Sequence, residues 1–341
     1  MFHAMVDEMI NLSDSKIDFA LTAVQTASQL VQEIQTEMVT SALTKEDRTP
    51  VTVADFAAQA VVGCYLDRYY PDVSLIGEED ADVLRLEENA EKLEKITGYV
   101  SRVIPNASPE GVLDWIDRGR GGVGKEYWTL DPIDGTKGFL RGAQFAVCLG
   151  YIQGGKEQIG ALGCPNLNAD LEEDLGGEGS LFATARGQGS WVMPLHSPIS
   201  SPYFSALHVS RKTDTMQARL LRSFESGHTN VDQIVDFSKA LNVDIGPVRL
   251  DSQAKYALLA GGKAEIYLRL LDGGREGYRE KVWDQAAGSL LVEEAGGKVT
   301  DLDGKPLDFS QGERLTANRG ICATNGILHP ETLKALREIG A

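Results

Sequence analysis

An apolar run, Tyr127-Trp128-Thr129-Leu130, leads into Asp131-Pro132-Ile133-Asp134 and then Gly135-Thr136. The run predicts a buried strand, and the proline predicts that it stops at Asp131-Pro132. Two carboxylates then stand three residues apart across a tight turn. Both cannot stay buried and ionised unless a positive partner joins them. Hard divalent cations such as magnesium are the natural partner, because carboxylate, carbonyl and water oxygens bind them. Gly135-Thr136 begins a helix, whose free amides and positive dipole end suit a phosphate. A strand end, a cation and an anion meeting at one point describe a metal-assisted phosphatase.

Other acidic residues sit at predicted element ends. Glu78 and Glu79 follow a short strand over 73–76, and Asp284 opens a helix that begins Trp283-Asp284-Gln285-Ala286-Ala287-Gly288. Asp55 falls in the first turn of a helix after Thr49-Pro50-Val51-Thr52. Each alone reads as a solvated loop or capping residue; together they form a constellation.

Apolar spacing predicts an amphipathic helix over 17–34, a second over 53–70 and a charged one over 84–96. The stretch 105–125 reads as irregular and glycine-rich. Strands are expected over 145–152 and 159–162, with a glycine-bounded hairpin over 179–192. Pro194, Pro198 and Pro202, interleaved with serines, make the best linker in the chain. It divides an α+β part (1–200), carrying most of the acidic residues, from an α/β part (201–341). In the second part, strands over 206–209, 248–250 and 264–268 alternate with helices near 231–241, from 252, and over 283–295.

Acidic residues outnumber basic ones by 50 to 33 in the 341 residues, for a formal charge of −17. Such a surface repels polyphosphate backbones and anionic membranes, which excludes general nucleic-acid or membrane binding, though not a small anion held by local cations. Cys64, Cys148, Cys164 and Cys322 are scattered, without zinc spacing, and read as buried thiols in a reducing compartment. The acidic N-terminal stretch is no signal peptide, no run is long enough to span a membrane, and a cytoplasmic monomer is expected.

Two motifs tempt and fail. Gly119-Arg120-Gly121-Gly122-Val123-Gly124-Lys125 has phosphate-loop spacing, but Glu126 stands where serine or threonine would hold magnesium, and an extended segment follows. It reads as a mobile loop. Ser252-Gln253-Ala254-Lys255 has the S-x-x-K spacing of penicillin-recognising acylases without their S-D-N and K-T-G partners. It reads better as an anion-binding helix start.

Gly77-Glu78-Glu79, Asp131-Pro132-Ile133-Asp134-Gly135-Thr136, Trp283-Asp284-Gln285-Ala286-Ala287-Gly288 and Glu294-Ala295-Gly296-Gly297 resemble the inositol monophosphatase superfamily of lithium-sensitive, magnesium-dependent phosphatases. Lys137-Gly138-Phe139-Leu140-Arg141-Gly142, Thr49-Pro50-Val51-Thr52-Val53-Ala54-Asp55 and Asp251-Ser252-Gln253-Ala254-Lys255-Tyr256 look like its 3'(2'),5'-bisphosphate nucleotidases. The resemblance covers about 14–330. It implies a layered αβαβα sandwich of two subdomains, with the site at their junction. It also implies hydrolysis of the 3'-phosphate of adenosine 3',5'-bisphosphate to AMP, with 3'-phosphoadenylyl sulfate as a second substrate and a place in sulfur metabolism.

By the same resemblance, Glu78, Asp131, the Ile133 carbonyl, Asp134 and Asp284 ligate two or three magnesium ions. Asp55 and Thr136 orient and deprotonate the attacking water. Gly135, Thr136 and Asp284 contact substrate, His228 lies near the nucleoside, and Ser252, Lys255 and Arg269 hold the other phosphate. Plainer roles stay open for several: His228 as a surface histidine, Arg269 as the partner of Glu280, Thr136 as a helix cap, Lys137 and Arg141 as solvated charges. Two rival functions also stay open: an inositol phosphate or polyphosphate phosphatase on the same fold, and a catalytically silent nucleotide sensor.

Overall fold

Helix α1 (Ser15–Ile34) starts where the Asp14 carboxylate accepts a hydrogen bond from the Lys16 amide (2.8 Å), an N-cap that satisfies a free donor. The computed structural model describes residues 9–39, 49–200, 203–223, 231–270 and 277–341. Ile17, Leu21, Val24, Leu30 and Val31 of α1 are buried, as are Ala54, Ala57, Ala58, Val61 and Val62 of α2 (Thr49–Tyr69). These two helices cover one face of a seven-stranded sheet, whose strands lie in sequence order. They are β1 (Ser74–Gly77), β2 (Glu126–Asp134), β3 (Ala146–Gln153), β4 (Lys156–Cys164), β5 (Ser180–Ala185), β6 (Ser190–Pro194) and β7 (Ser205–Ala206). β1 and β2 are parallel, and every later pair is antiparallel.

Both faces of that sheet are covered, so β3 reads as a continuous apolar run rather than an alternating one. Its Val147, Leu149 and Tyr151 join the α1/α2 core, while Ala146, Cys148 and Ile152 join a second core with α7 (Ala254–Ala260) and α8 (Ala286–Glu294). Small residues let α8 sink between the sheet and α7. A Cβ on Gly150 would come within 2.9 Å of the Ala286 Cβ, and one on Gly288 would overlap the Tyr256 ring.

The second sheet runs β11 (Lys298–Thr300), β12 (Ile321–Thr324), β10 (Ile266–Arg269), β8 (Leu220–Arg222), β9 (Val248–Arg249). Tyr267 of β10 faces α7 and α8. Ile266 and Leu268 face a third core with α6 (Val231–Ala240) and α9 (His329–Glu338), built on Phe237 and Leu336. The order helix, sheet, helix, sheet, helix is the expected αβαβα sandwich.

Several local expectations are corrected. β2 does not stop at Asp131-Pro132; it continues to Asp134 through an irregularity in its pairing with β3. The expected irregular stretch contains α4 (Pro109–Asp117), capped by Ser108 Oγ on the Gly111 amide (3.1 Å) and started by Pro109. The charged segment 84–96 begins as two 3₁₀ turns, Asp82–Arg85 and Glu87–Asn89, before α3 (Ala90–Val100). The strand at 206–209 shrinks to β7 and belongs to the first sheet, not the second. Among the described residues, no helix is long and apolar enough to cross a membrane.

Candidate active site

One cleft of about 250 Å³ gathers ten of the twelve residues singled out above: Glu78, Asp131, Ile133, Asp134, Gly135, Thr136, Ser252, Lys255, Arg269 and Asp284. These ten come from five places in the chain. Glu78 follows β1, and Asp131, Ile133 and Asp134 lie at the irregular end of β2. Gly135 takes φ +92°, a turn open to glycine, and hands over to the short α5 (Thr136–Leu140). Ser252 and Lys255 flank the start of α7, Arg269 ends β10, and Asp284 precedes α8.

Asp55 is not on the cleft wall. It stands on α2, in the second helical turn rather than the first, is buried, and is close enough to Glu78 and Asp131 to repel them. Burial pushes its carboxyl well above the usual range, and Glu79 and Glu78 push it further. His228 lies outside the described residues.

The cleft carries more negative charge than its surroundings can satisfy. Burial raises the Asp131 carboxyl well above its ordinary value, with Glu78, Asp134, Asp284 and Asp55 adding repulsion. Burial and then Asp134 raise Glu78, against a hydrogen bond with Asp131 and the charge of Lys281. Asp284 is pushed up to about 8 by burial, which the Arg269 guanidinium opposes. One carboxylate oxygen of Asp131 and one of Asp55 are buried without a hydrogen-bond partner.

Among the described residues, no three acidic, histidine or cysteine side chains form a ready-made metal cage. The carboxylates instead flank a shared space. Orphaned, mutually repelling hard oxygens are the donor set that suits magnesium, and a cation there would relieve each of these costs.

Positive groups line the same cleft. Lys255 is 3% exposed, and burial lowers its ammonium to about 8 against the pull of Asp134. Arg269 forms an ion pair with Glu280 (2.8 Å) and reaches within 3.8 Å of Asp284, so its plainer partner is present as well as its place on the cleft. Ser252 does not begin a helix. It holds φ +65°, a strained backbone for a residue with a side chain, and its Oγ accepts from the Ala254 amide (3.2 Å). Arg141 pairs with Asp251 while its side chain stays exposed.

The glycine-rich stretch at 119–125 is pinned along β1, with Gly77 N–H donating to Gly119 O (2.9 Å) and Gly121 N–H to Leu75 O (2.8 Å). It leads into β2 and no helix follows, which removes the phosphate-loop alternative.

Sequence reasoning placed Glu79 among the clustered acids but gave it no role. Its carboxyl, pushed up to about 7 by burial and by Glu78, stands beside Asp55, and the doubled glutamate after a strand was the available signal. Lys281 was missed; it stacks on Trp283 at 4.2 Å and tempers the charge of Glu78. Nothing in the spacing of Lys281 marks it.

The sequence pattern of the inositol monophosphatase family matches residues 13–341, and the chain belongs to that family of phosphatases. Within it, the chain is similar to the 3'(2'),5'-bisphosphate nucleotidases. That of Schizosaccharomyces pombe is 40% identical over 91% of each chain. That of Oryza sativa is 41% identical, covering 94% of this chain and 92% of its own. Arabidopsis thaliana 3',5'-bisphosphate nucleotidase 2 is 39% identical, over 95% and 96%. Solved structures share the fold: an inositol monophosphatase from Anabaena has a TM-score of 0.60 at 22% identity, covering 96% of each chain. CysQ from Bacteroides thetaiotaomicron has 0.59 at 19%, covering 92% of this chain and 97% of its own.

Proposed function

We propose that this protein hydrolyses the 3'-phosphate of adenosine 3',5'-bisphosphate to AMP and phosphate, and also accepts 3'-phosphoadenylyl sulfate. The observation that carries this is the similarity, at about two-fifths identity over nine-tenths of both chains, to proteins named for that activity. The cleft supports it chemically, because it sets carboxylates against a buried cation.

Glu78, Asp131, the Ile133 carbonyl, Asp134 and Asp284 would hold magnesium. Bound there, magnesium supplies positive charge to the transferring phosphoryl group and acidifies water. Asp55 and Thr136 orient the attacking water, and Asp55, a carboxyl poised by burial to take a proton, accepts one from it. The amides at Gly135 and Thr136 face the phosphoryl oxygens as charge develops on them. Ser252, Lys255 and Arg269 hold the 5'-phosphate, with His228 beside the nucleoside. In this assignment the part before residue 200 carries most cation ligands, and the part after it carries Asp284 and the nucleotide contacts.

Phosphate release from adenosine 3',5'-bisphosphate, 3'-phosphoadenylyl sulfate, inositol 1,4-bisphosphate and inositol 1-phosphate, with and without magnesium, tests the assignment. Magnesium-dependent preference for the nucleotides is expected, as is stronger inhibition by lithium than by sodium chloride at equal ionic strength. Preference for either inositol phosphate would replace it with the inositol phosphatase function. Nucleotide binding without any phosphate release would make the protein a sensor.

A further inference from the structure

Gln59 stands one helical turn after Asp55 on α2 and is completely buried. A buried primary amide must find partners for its two N–H groups and its oxygen. Gln59 finds them all on backbone. Its Oε1 accepts from the Glu79 N–H (3.1 Å), and its Nε2 donates to the Glu79 carbonyl (2.5 Å) and to the Ile116 carbonyl at the end of α4 (2.8 Å). The amide thus reads both polar atoms of one residue, the one that follows Glu78.

The packing leaves this amide no other path. A Cβ on Gly77 would sit 2.7 Å from Gln59 Oε1, and a Cβ on Gly119 would collide with Nε2. Two glycines therefore form the slot through which the side chain reaches the loop. Glu78 and Glu79 follow each other at the end of β1, so a hold on the Glu79 backbone also fixes where Glu78 stands.

We propose that Gln59 is a positioning residue for the cation site, clamping the Glu79 backbone so that Glu78 is presented to the cleft at a fixed distance from Asp55. This rests on Glu78 being a cation ligand, as assigned under the proposed function. Groups that orient ligands in this way are worth about 10- to 100-fold in metal affinity.

The test uses manganese as the probe, with binding followed by electron paramagnetic resonance on the full chain, alongside the magnesium dependence of phosphate release. Gln59→Met keeps the bulk and removes the clamp. Gly119→Ala keeps Gln59 and displaces its amide, and it decides the question if Gln59→Met does not fold. Both are expected to weaken manganese binding about 10- to 100-fold and to raise the half-saturating magnesium concentration in step. Activity at saturating magnesium should change far less. Cys64→Ala, a buried change on the same helix away from the clamp, should lower stability without moving manganese affinity.

If both clamp variants bind manganese like wild type while Glu78→Gln does not, the clamp is overturned and the ligand assignment stands. If Glu78→Gln itself binds like wild type, the ligand assignment falls and takes the clamp with it.

Discussion

Removing the charge of Lys255 separates the two phosphates of the substrate. Lys255 is 3% exposed in the cleft, and among the described residues no carboxylate lies within ion-pair distance of its Nζ. Its ammonium, lowered to about 8 mainly by burial, is still charged at pH 7. A charge-assisted contact to a phosphate contributes about 1.5–3 kcal/mol. Lys255→Met should then lower kcat/KM for adenosine 3',5'-bisphosphate by roughly 10- to 150-fold. The same change should leave 3'-AMP nearly unaffected, since it has no second phosphate.

Arg269 provides the contrast. Its guanidinium is already paired with the Glu280 carboxylate, so the larger share of the selective effect falls to Lys255. Arg269→Ala would strand Glu280, a carboxylate 3% exposed, and breaking such a buried pair costs about 3–5 kcal/mol of stability. The assay is kcat/KM for both nucleotides at pH 7 in wild type and each variant, with urea midpoints measured in parallel. If Lys255→Met lowers both substrates by the same factor, the 5'-phosphate is held elsewhere.

Asp134→Asn should abolish phosphate release while circular dichroism stays native, because an amide cannot balance a cation; activity within about tenfold of wild type, 1.4 kcal/mol in barrier, refutes the ligand assignment. Gly288→Ala forces a methyl into the Tyr256 ring and should cost about 1–3 kcal/mol by urea denaturation, an unchanged midpoint showing that α7 and α8 are not so tightly packed. His329 is buried between Thr300 and Thr324, each 3.0 Å from a ring nitrogen. Thr300 Oγ1 already donates to the Asp301 carbonyl, so Nε2 carries the proton and Nδ1 accepts from Thr324. Burial lowers this histidine to about 4, so the unfolded chain takes up the proton first as pH falls below its ordinary value of 6.5. Wild type should therefore lose about 1 kcal/mol between pH 7.5 and 5.5 relative to His329→Gln. The raised carboxyls of Glu157 and Asp284 shift stability the other way and equally in both proteins. An unchanged difference across that range refutes the neutral histidine.

The sequence by itself determined the fold class and the acidic make-up of the cleft. Acidic residues at strand ends are a local signal, because a buried carboxylate is costly enough that its presence beside Leu130 and Ile133 demands a reason. The motif at 131–136 was legible in this way, as was the run of small residues after Asp284. Helix α1 was legible because its apolar spacing is long and regular. What was not legible depended on partners distant in sequence. α4 was hidden because its signal is a serine cap and a proline ahead of Val112 and Ile116, inside a glycine-rich stretch. The length of β2 was hidden because its pairing with β3 overrides Pro132. Strands β8, β11 and β12 were hidden because three or four residues carry no period of their own. Only the tertiary structure showed that Ser252 is held at positive φ rather than starting a helix, that Arg269 is shared with Glu280, and that Gln59 grips Glu79 through a slot between Gly77 and Gly119. A sequence states which groups a chain owns. Which of them meet, and which are already satisfied when they do, is decided by packing between elements tens of residues apart.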